Sequence, residues 1–175
     1  RVYNPGEITE VLINYSHNNV SDGAIYTGNG GFFTDAEPEG ARKWFPCWDK
    51  PSDKATVDIT LKVPANVKIG SNGRLNDSTL TGDTLYDHWI SRDPVTTYLT
   101  VLTGKVNYNL NIIYWPKISN PSELVPIRFY SNSGENPASM MAMFPTMITH
   151  FSQKFGEHGF EKNGFTTAPA SGFTW

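Results

Sequence analysis

The sequence predicts a mainly β domain, an antiparallel sandwich or saddle of sheets, followed by one helix. Apolar and polar residues alternate with a period of two in several runs, and short turns rich in Gly, Asn and Asp separate these runs. No helical periodicity lies between the runs, and this arrangement is typical of antiparallel sheets. The aromatic content of 13% and the modest charged content of 18% fit a globular protein of this class.

Six runs are predicted to form strands. In the run 54–64, Val57, Ile59 and Leu61 alternate with polar residues, which indicates a strand with one face in water. The run 105–114 shows the same alternation over ten residues, and the other four runs show it less regularly. Pro126 interrupts the last run and places it at the edge of a sheet, because proline cannot donate to a neighbouring strand. The predicted strands lie at 7–15, 54–64, 83–93, 97–104, 105–114 and 124–130.

The pattern changes to a helical one at Ala138. One face of this helix would carry Met140, Phe144, Met147, Ile148, Phe151 and Phe155. Pro145 is expected to kink it and Gly156 to end it. We expect this methionine-rich face to pack in a core, although a groove for a cofactor or partner is the alternative. Since one helix needs a surface to cover, we expect a β domain at 1–131 and the incomplete beginning of a second domain at 132–175.

Charge and hydropathy narrow the partners that the chain is expected to have. The net charge is −3 and no run is rich in Lys or Arg, which argues against nucleic acid and anionic membrane surfaces. No apolar run reaches the length of a transmembrane segment. Cys47 is the only cysteine and is predicted to be a buried structural thiol. The four histidines, His17, His88, His150 and His158, lack the spacing of a zinc site, so none is predicted to hold a metal.

The stretch 32–55, FFTDAEPEGARKWFPCWDKPSDKA, concentrates unusual residues in one connection. Arg42 and Asp49 bracket three aromatic residues, so a charge-assisted pair between them is expected to close the loop over Trp44, Phe45 and Trp48. Three acids, Asp35, Glu37 and Glu39, precede this cluster. From the residues alone, a solvated acidic turn and a binding site both remain open for them.

This stretch closely resembles the N-terminal domain of the aminopeptidase N family, which are zinc metallopeptidases of the gluzincin type. The resemblance covers an acidic Glu-Pro segment at 34–38, Ala-Arg at 41–42, an aromatic-Phe-Pro-Cys segment at 44–51, the strand start at 54–55 and a Ser-Asn-Gly turn at 71–73. The residues expected to be structural parts of this motif are Arg42, Trp44, Pro46, Asp49 and Lys54. The segments 96–106 and 154–169 resemble further parts of the family pattern.

The resemblance implies that Glu37 holds the free ammonium group of a peptide substrate's first residue. Asp35 would line the same pocket, at a position where the family usually has Gln. In that family, zinc polarises the scissile carbonyl and activates water, and its ligands come from a His-Glu-x-x-His motif and a downstream Glu in a thermolysin-like catalytic domain. No such motif occurs in this sequence. We therefore expect this chain to bind no catalytic zinc, to be inactive alone, and to need the missing catalytic domain as its partner.

Two other functions are kept as alternatives. Some relatives of the family keep the fold and act as scaffolds or interaction modules, although the presence of Glu37 favours the enzyme. A free-standing β-sandwich that binds carbohydrate on Trp44 and Trp48 is the third interpretation. An extracellular or periplasmic location is favoured over a cytoplasmic one.

Overall fold

The computed structural model describes residues 2–18 and 23–168. It confirms a mainly β fold with antiparallel sheets and one late α-helix. Two short 3-10 helices, Ala41–Lys43 and Thr97–Leu99, lie in the connections. The strands described are β1 (Ile25–Gly28), β2 (Gly31–Thr34), β3 (Lys54–Pro64), β4 (Val67–Ser71), β5 (Arg74–Thr81), β6 (Thr84–Thr96), β7 (Leu102–Val106), β8 (Asn109–Pro116), β9 (Leu124–Ser131) and β10 (Asn163–Thr166), and the helix is α1 (Ala138–Phe155).

The described strands form three sheets. One has four strands in the order β1-β2-β7-β4, and the other two have three strands each, in the orders β3-β6-β5 and β10-β9-β8. Every pair is antiparallel except β10 with β9, which is parallel. The alternation predicted for β3 is confirmed, because Val57, Ile59 and Leu61 are half-buried and the residues between them are exposed.

The predicted strand 105–114 is wrong as a single element. The chain turns at Asn107, whose φ is 58°, and passes from β7 in the four-stranded sheet to β8 in another. Asn is one of the few residues that adopt this left-handed conformation at low cost. The run 97–104 is also divided, because its first three residues form a 3-10 helix and β7 begins at Leu102. The predicted strand 7–15 does not form, and most of its side chains are exposed.

The prediction that Pro126 marks an edge strand is wrong for β9 as a whole. This strand lies between β8 and β10 in the centre of its sheet. The pairing with β10, however, begins only at Ile127, one residue after the proline. Pro126 therefore has a paired neighbour only on the β8 side, opposite Tyr114, which explains how a central strand accommodates a residue without an N–H.

Helix α1 covers the sheet β10-β9-β8. Ile148 joins the buried cluster of this sheet, and the indole Nε1 of Trp115 donates to Thr149 Oγ1 at 2.9 Å. The helix continues through Pro145, where the expected kink stays a prediction, and it ends before Gly156, as predicted. The remaining members of the cluster are Trp115, Val125, Ile127 and Phe129, with Ile113, Met141, Phe144 and Phe165 packed against them.

The face of α1 that contacts the sheet is only partly the predicted one. Phe144 and Ile148 pack inward, but Met140, Met147 and Phe151 are exposed, and Phe155 is 83% exposed. A periodic pattern identifies an apolar stripe, whereas the partner surface decides which part of it is covered. Because α1 and β10 pack on β8 and β9, the structure joins 109–131 to the segment beyond 132. The predicted boundary between 131 and 132 stays a prediction.

Candidate functional site

The loop after β2 is organised around Asp49, whose exposed fraction is only 4%. Arg42 donates to Asp49 Oδ2 from both its backbone N and its Nε, each at 3.1 Å, and Thr97 Oγ1 donates to Oδ1 at 2.7 Å. The predicted pair between Arg42 and Asp49 is therefore confirmed. Thr97 lies in the connection between β6 and β7, so this carboxylate ties two distant connections together.

The electrostatics of Asp49 follow from these contacts. Burial alone would raise the pKa of its carboxyl group, but hydrogen bonds from Thr97 and Arg42 and the charge of Arg42 outweigh burial and lower the pKa below its ordinary value. Glu39 forms an outer layer, accepting from Arg42 at 3.0 Å and from Lys50 at 3.2 Å. These outer groups are about half exposed, so we assign the structural role mainly to Asp49.

The aromatic residues of the loop do not behave alike. Trp44 and Phe45 are half-buried and meet edge to face at 4.5 Å between ring centroids. Trp48 is 73% exposed, so the expectation that the loop closes over all three rings is wrong for this one. Cys47 is half-buried rather than fully buried, and burial raises the pKa of its thiol. A raised pKa makes this thiol a weak nucleophile, which agrees with a structural role.

The other two motif residues are Pro46, inside the loop, and Lys54, at its end. Pro46 is exposed within the aromatic segment, and Lys54 is the first residue of β3, where it pairs with Thr96 of β6. The framework role predicted for these two residues stays a prediction.

The two acids predicted to bind substrate line one cavity of about 300 Å³. Its walls come from the segment 33–37, from the ends of β4 and β7, and from β9 and β10. Asp35 is half-buried and its backbone N donates to Ala24 O at 2.9 Å, whereas Glu37 is exposed and precedes a cis peptide bond to Pro38. Among the described residues, no hydrogen bond or ion pair engages either carboxylate, in contrast to Glu39.

Lys162 lines the same cavity, and the sequence analysis did not single it out. Burial, and then the charge of Arg128, lowers the pKa of Lys162 to about 8. The ring of Trp89 lies 5.8 Å from its Nζ and 5.1 Å from the Arg128 guanidinium carbon. One lysine in a polar segment gives no sequence signal, because only the fold brings it to the cavity that residues 33–37 also line.

Residues 2–18 and 23–168 contain no group of three His, Cys, Asp or Glu side chains that could hold a metal ion. Within the same residues, no helix has the length and hydropathy needed to cross a membrane.

Comparison with known proteins gives a family. The family model described as the peptidase M1 N-terminal domain matches residues 13–99. Aminopeptidase M1 of Arabidopsis thaliana is 36% identical over 76 residues, which are 43% of this chain and 9% of that protein. Glutamyl aminopeptidase of Rattus norvegicus is 40% identical over 67 residues, 38% of this chain and 7% of that protein. The chain thus spans about a tenth of the length of the curated relatives it matches.

A solved structure shows the same fold. The M1 zinc metallopeptidase from Deinococcus radiodurans superposes with a TM-score of 0.71 at 24% identity, over 86% of this chain and 34% of that one. At this identity the likeness concerns the fold, while the family model and the relatives supply the family. Together with the motif 34–55 and the sheets built around it, these matches show that the chain belongs to the M1 peptidases, the aminopeptidase N family, and carries their N-terminal domain.

Proposed function

We propose that this chain is the N-terminal part of a zinc-dependent aminopeptidase, and that Glu37 holds the free ammonium group of the peptide substrate. The observation that carries the proposal is the position of Glu37 at the wall of the cavity, where no described residue engages its carboxylate. An aminopeptidase must distinguish a charged N-terminus from an internal amide. A carboxylate that is not engaged by another cation can make this distinction by charge and hydrogen bonding.

The framework around Glu37 supports this role. Ala36 is 2% exposed, and its carbonyl accepts from Gly40 N at 2.7 Å, which closes a tight turn around Glu37. Arg42 and Asp49 hold the next part of the loop. The backbone on both sides of Glu37 is therefore fixed, while its side chain is left available. Asp35, two residues earlier, adds a second negative charge to the same wall.

The zinc of the family is proposed for the whole enzyme and not for this chain. The described residues do not fit a zinc centre, since they offer no ligand cluster. No step through a metal is therefore assigned to them, and the missing catalytic domain is the proposed source of the ligands. We propose that the isolated chain hydrolyses nothing. Zinc-dependent release of an aminoacyl anilide by the purified 175-residue chain would contradict this.

The test of the proposed function is Glu37→Gln in the full-length protein that contains this chain. Loss of one charged partner of an ammonium group costs about 2–5 kcal/mol, so kcat/KM on a dipeptide should fall by about 30-fold or more. Glu39→Gln is the matched control, because Glu39 pairs with Arg42 and Lys50 on the surface and should leave kcat/KM nearly unchanged. Equal activity of the wild type and Glu37→Gln would refute the anchor role.

A non-catalytic interaction module is the second candidate. The exposed apolar face of α1, which includes Met143, Phe151 and Phe155, is the observation that favours it. Such a module has no need of an ammonium anchor. Aminopeptidase activity of the full-length protein, lost in Glu37→Gln, would decide against it.

A further inference from the structure

Lys162 lies in an unusual electrostatic position for a lysine. It is half-buried at the cavity wall, immediately before β10. Within the described part of the chain, it makes no hydrogen bond and no ion pair. The neighbouring carboxylate of Glu161 is not available to it, because both oxygens of Glu161 bind Arg92, at 2.9 Å to its backbone N and 2.8 Å to its guanidinium. The charge that acts on the pKa of Lys162 is that of Arg128, which has the same sign.

Lys162 shares an aromatic surface with a second cation. Arg128 and Lys162 both lie against Trp89, which is 1% exposed and whose Nε1 has no hydrogen-bond partner among the described residues. Arg128 donates to the hydroxyl of Tyr130, which also lines the cavity. Buried donors without acceptors are costly, and two cations on one ring repel each other. Of these two cations Lys162 lines the cavity, so an anion there would supply an acceptor for its ammonium group.

The cavity therefore has charges of both signs in its lining. Asp35 and Glu37 carry negative charge, Lys162 carries positive charge, and most of the remaining lining is apolar. A volume of about 300 Å³ lies at the lower end of the range for small-ligand pockets, and it suits one or two amino-acid residues. The ligand chemistry that matches this lining is an ammonium group and a carboxylate in one small molecule.

We propose that Lys162 binds a carboxylate of the substrate, so that the cavity prefers molecules with a negative charge close to their free amine. The inference rests on the proposed function, in which the amine is held by Glu37. The carboxylate has two possible sources, an acidic side chain on the first residue or the terminal carboxylate of a very short peptide. The competing explanation is that Lys162 only packs its stem on Trp89 and keeps its ammonium in water.

Three probes separate these possibilities when they are titrated into the 175-residue chain and followed by NMR chemical shifts. Glutamic acid α-amide carries a side-chain carboxylate, glutaminyl-glycine carries a terminal carboxylate on its second residue, and glutaminamide carries neither, while all three keep the free amine. A charge-assisted hydrogen bond should make a carboxylate probe bind about tenfold more tightly than glutaminamide. Lys162→Met should remove this advantage without changing the affinity for glutaminamide. Glu37→Gln should weaken all three probes alike.

The outcomes distinguish the two proposals. Tighter binding of glutamic acid α-amide than of glutaminamide, abolished in Lys162→Met, supports the inference and identifies an acidic first residue. The same result for glutaminyl-glycine identifies the terminal carboxylate of a short peptide. If Glu37→Gln then leaves the affinity for the probes unchanged, the proposed binding of the amine by Glu37 is refuted, while the proposed role of Lys162 is still supported. Equal affinity for all three probes, or no saturable binding of the carboxylate probes at millimolar concentration, overturns the inference. In that case, binding of glutaminamide that is weakened by Glu37→Gln would still support the proposed function of Glu37.

A second readout separates direct contact from packing. The ¹³Cε signal of Lys162, identified by its loss in Lys162→Met, reports the charge of this one amine. Binding of a carboxylate should raise the pKa of Lys162, because the ammonium form gains a partner. An unchanged Lys162 titration in the saturated complex would contradict the proposed contact, even if the affinities differ.

Discussion

Asp49 offers the sharpest test of how the loop before β3 is held. Its carboxylate is 4% exposed and accepts three hydrogen bonds, two from Arg42 and one from Thr97. We predict that Asp49→Ala destabilises the protein by about 2–4 kcal/mol. A hydrogen bond to a charged group contributes roughly 1.5–3 kcal/mol. The contribution of the Arg42 side chain is smaller, because this side chain is 51% exposed and can bind water instead.

Two matched variants separate the parts of this contribution. Asp49→Asn keeps the size and one acceptor oxygen for Thr97 but loses the charge, so the expected loss is about 1–2 kcal/mol. Glu39→Ala removes a surface pair with Arg42 and should cost about 1 kcal/mol or less. Urea denaturation followed by tryptophan fluorescence gives the free energy of unfolding for each variant. Equal losses for Asp49→Ala and Glu39→Ala would refute the reasoning.

The pH dependence gives an independent check of the same residue. The folded pKa of Asp49 lies below its ordinary value of 3.8. Its contribution to stability is therefore fully present above pH 3.8 and is lost as the pH falls through the folded pKa. The difference in unfolding free energy between the wild type and Asp49→Ala should narrow in this acid range. A difference that stays constant down to pH 2 would show that the charge of Asp49 is unimportant.

Three further predictions concern the turns, the helix and the cavity. Gly73→Ala should lower the free energy of unfolding by about 3 kcal/mol or more, because φ is 70° and the new Cβ would lie 1.9 Å from a β6 carbonyl oxygen. Gly82→Ala, where φ is 59° but the space around the glycine is open, should lower it by only about 1–2 kcal/mol in the same urea assay. Ile148→Ala should lower the free energy of unfolding by about 2–5 kcal/mol, whereas Met143→Ala, at a residue that is 56% exposed, should change it by no more than about 0.5 kcal/mol. Comparable losses for the two variants would contradict the packing of α1. Lys162 has a folded pKa of about 8 against an ordinary 10.5, so its destabilising effect is full below pH 8 and disappears by pH 10.5. Lys162→Met should therefore be more stable than the wild type at pH 7 by up to about 3 kcal/mol, and this difference in the free energy of unfolding should disappear as the pH rises to 10.5. A difference that does not depend on pH would contradict the prediction.

The candidate site was predictable in part. The motif 34–55 pointed to Asp35 and Glu37, and the structure brings both to one cavity while Glu39 pairs with Arg42 and Lys50. The roles of Asp35 and Glu37 stay predictions. Lys162 could not have been found in this way, because its importance comes from its place between Trp89 and the cavity and not from its neighbours in sequence.

The sequence by itself determined the β class, the strand β3, the helix α1 and the pair of Arg42 with Asp49. Each depends on contacts or periodicities within a few residues, where side-chain spacing and charge suffice. Only the tertiary structure decided that the alternating run 105–114 divides between two sheets at Asn107 and that much of the α1 stripe stays exposed. It also decided that Lys162 faces a cavity shared with Glu37. These features depend on which distant surfaces meet, and the alternation of residues along one strand carries no information about its partner.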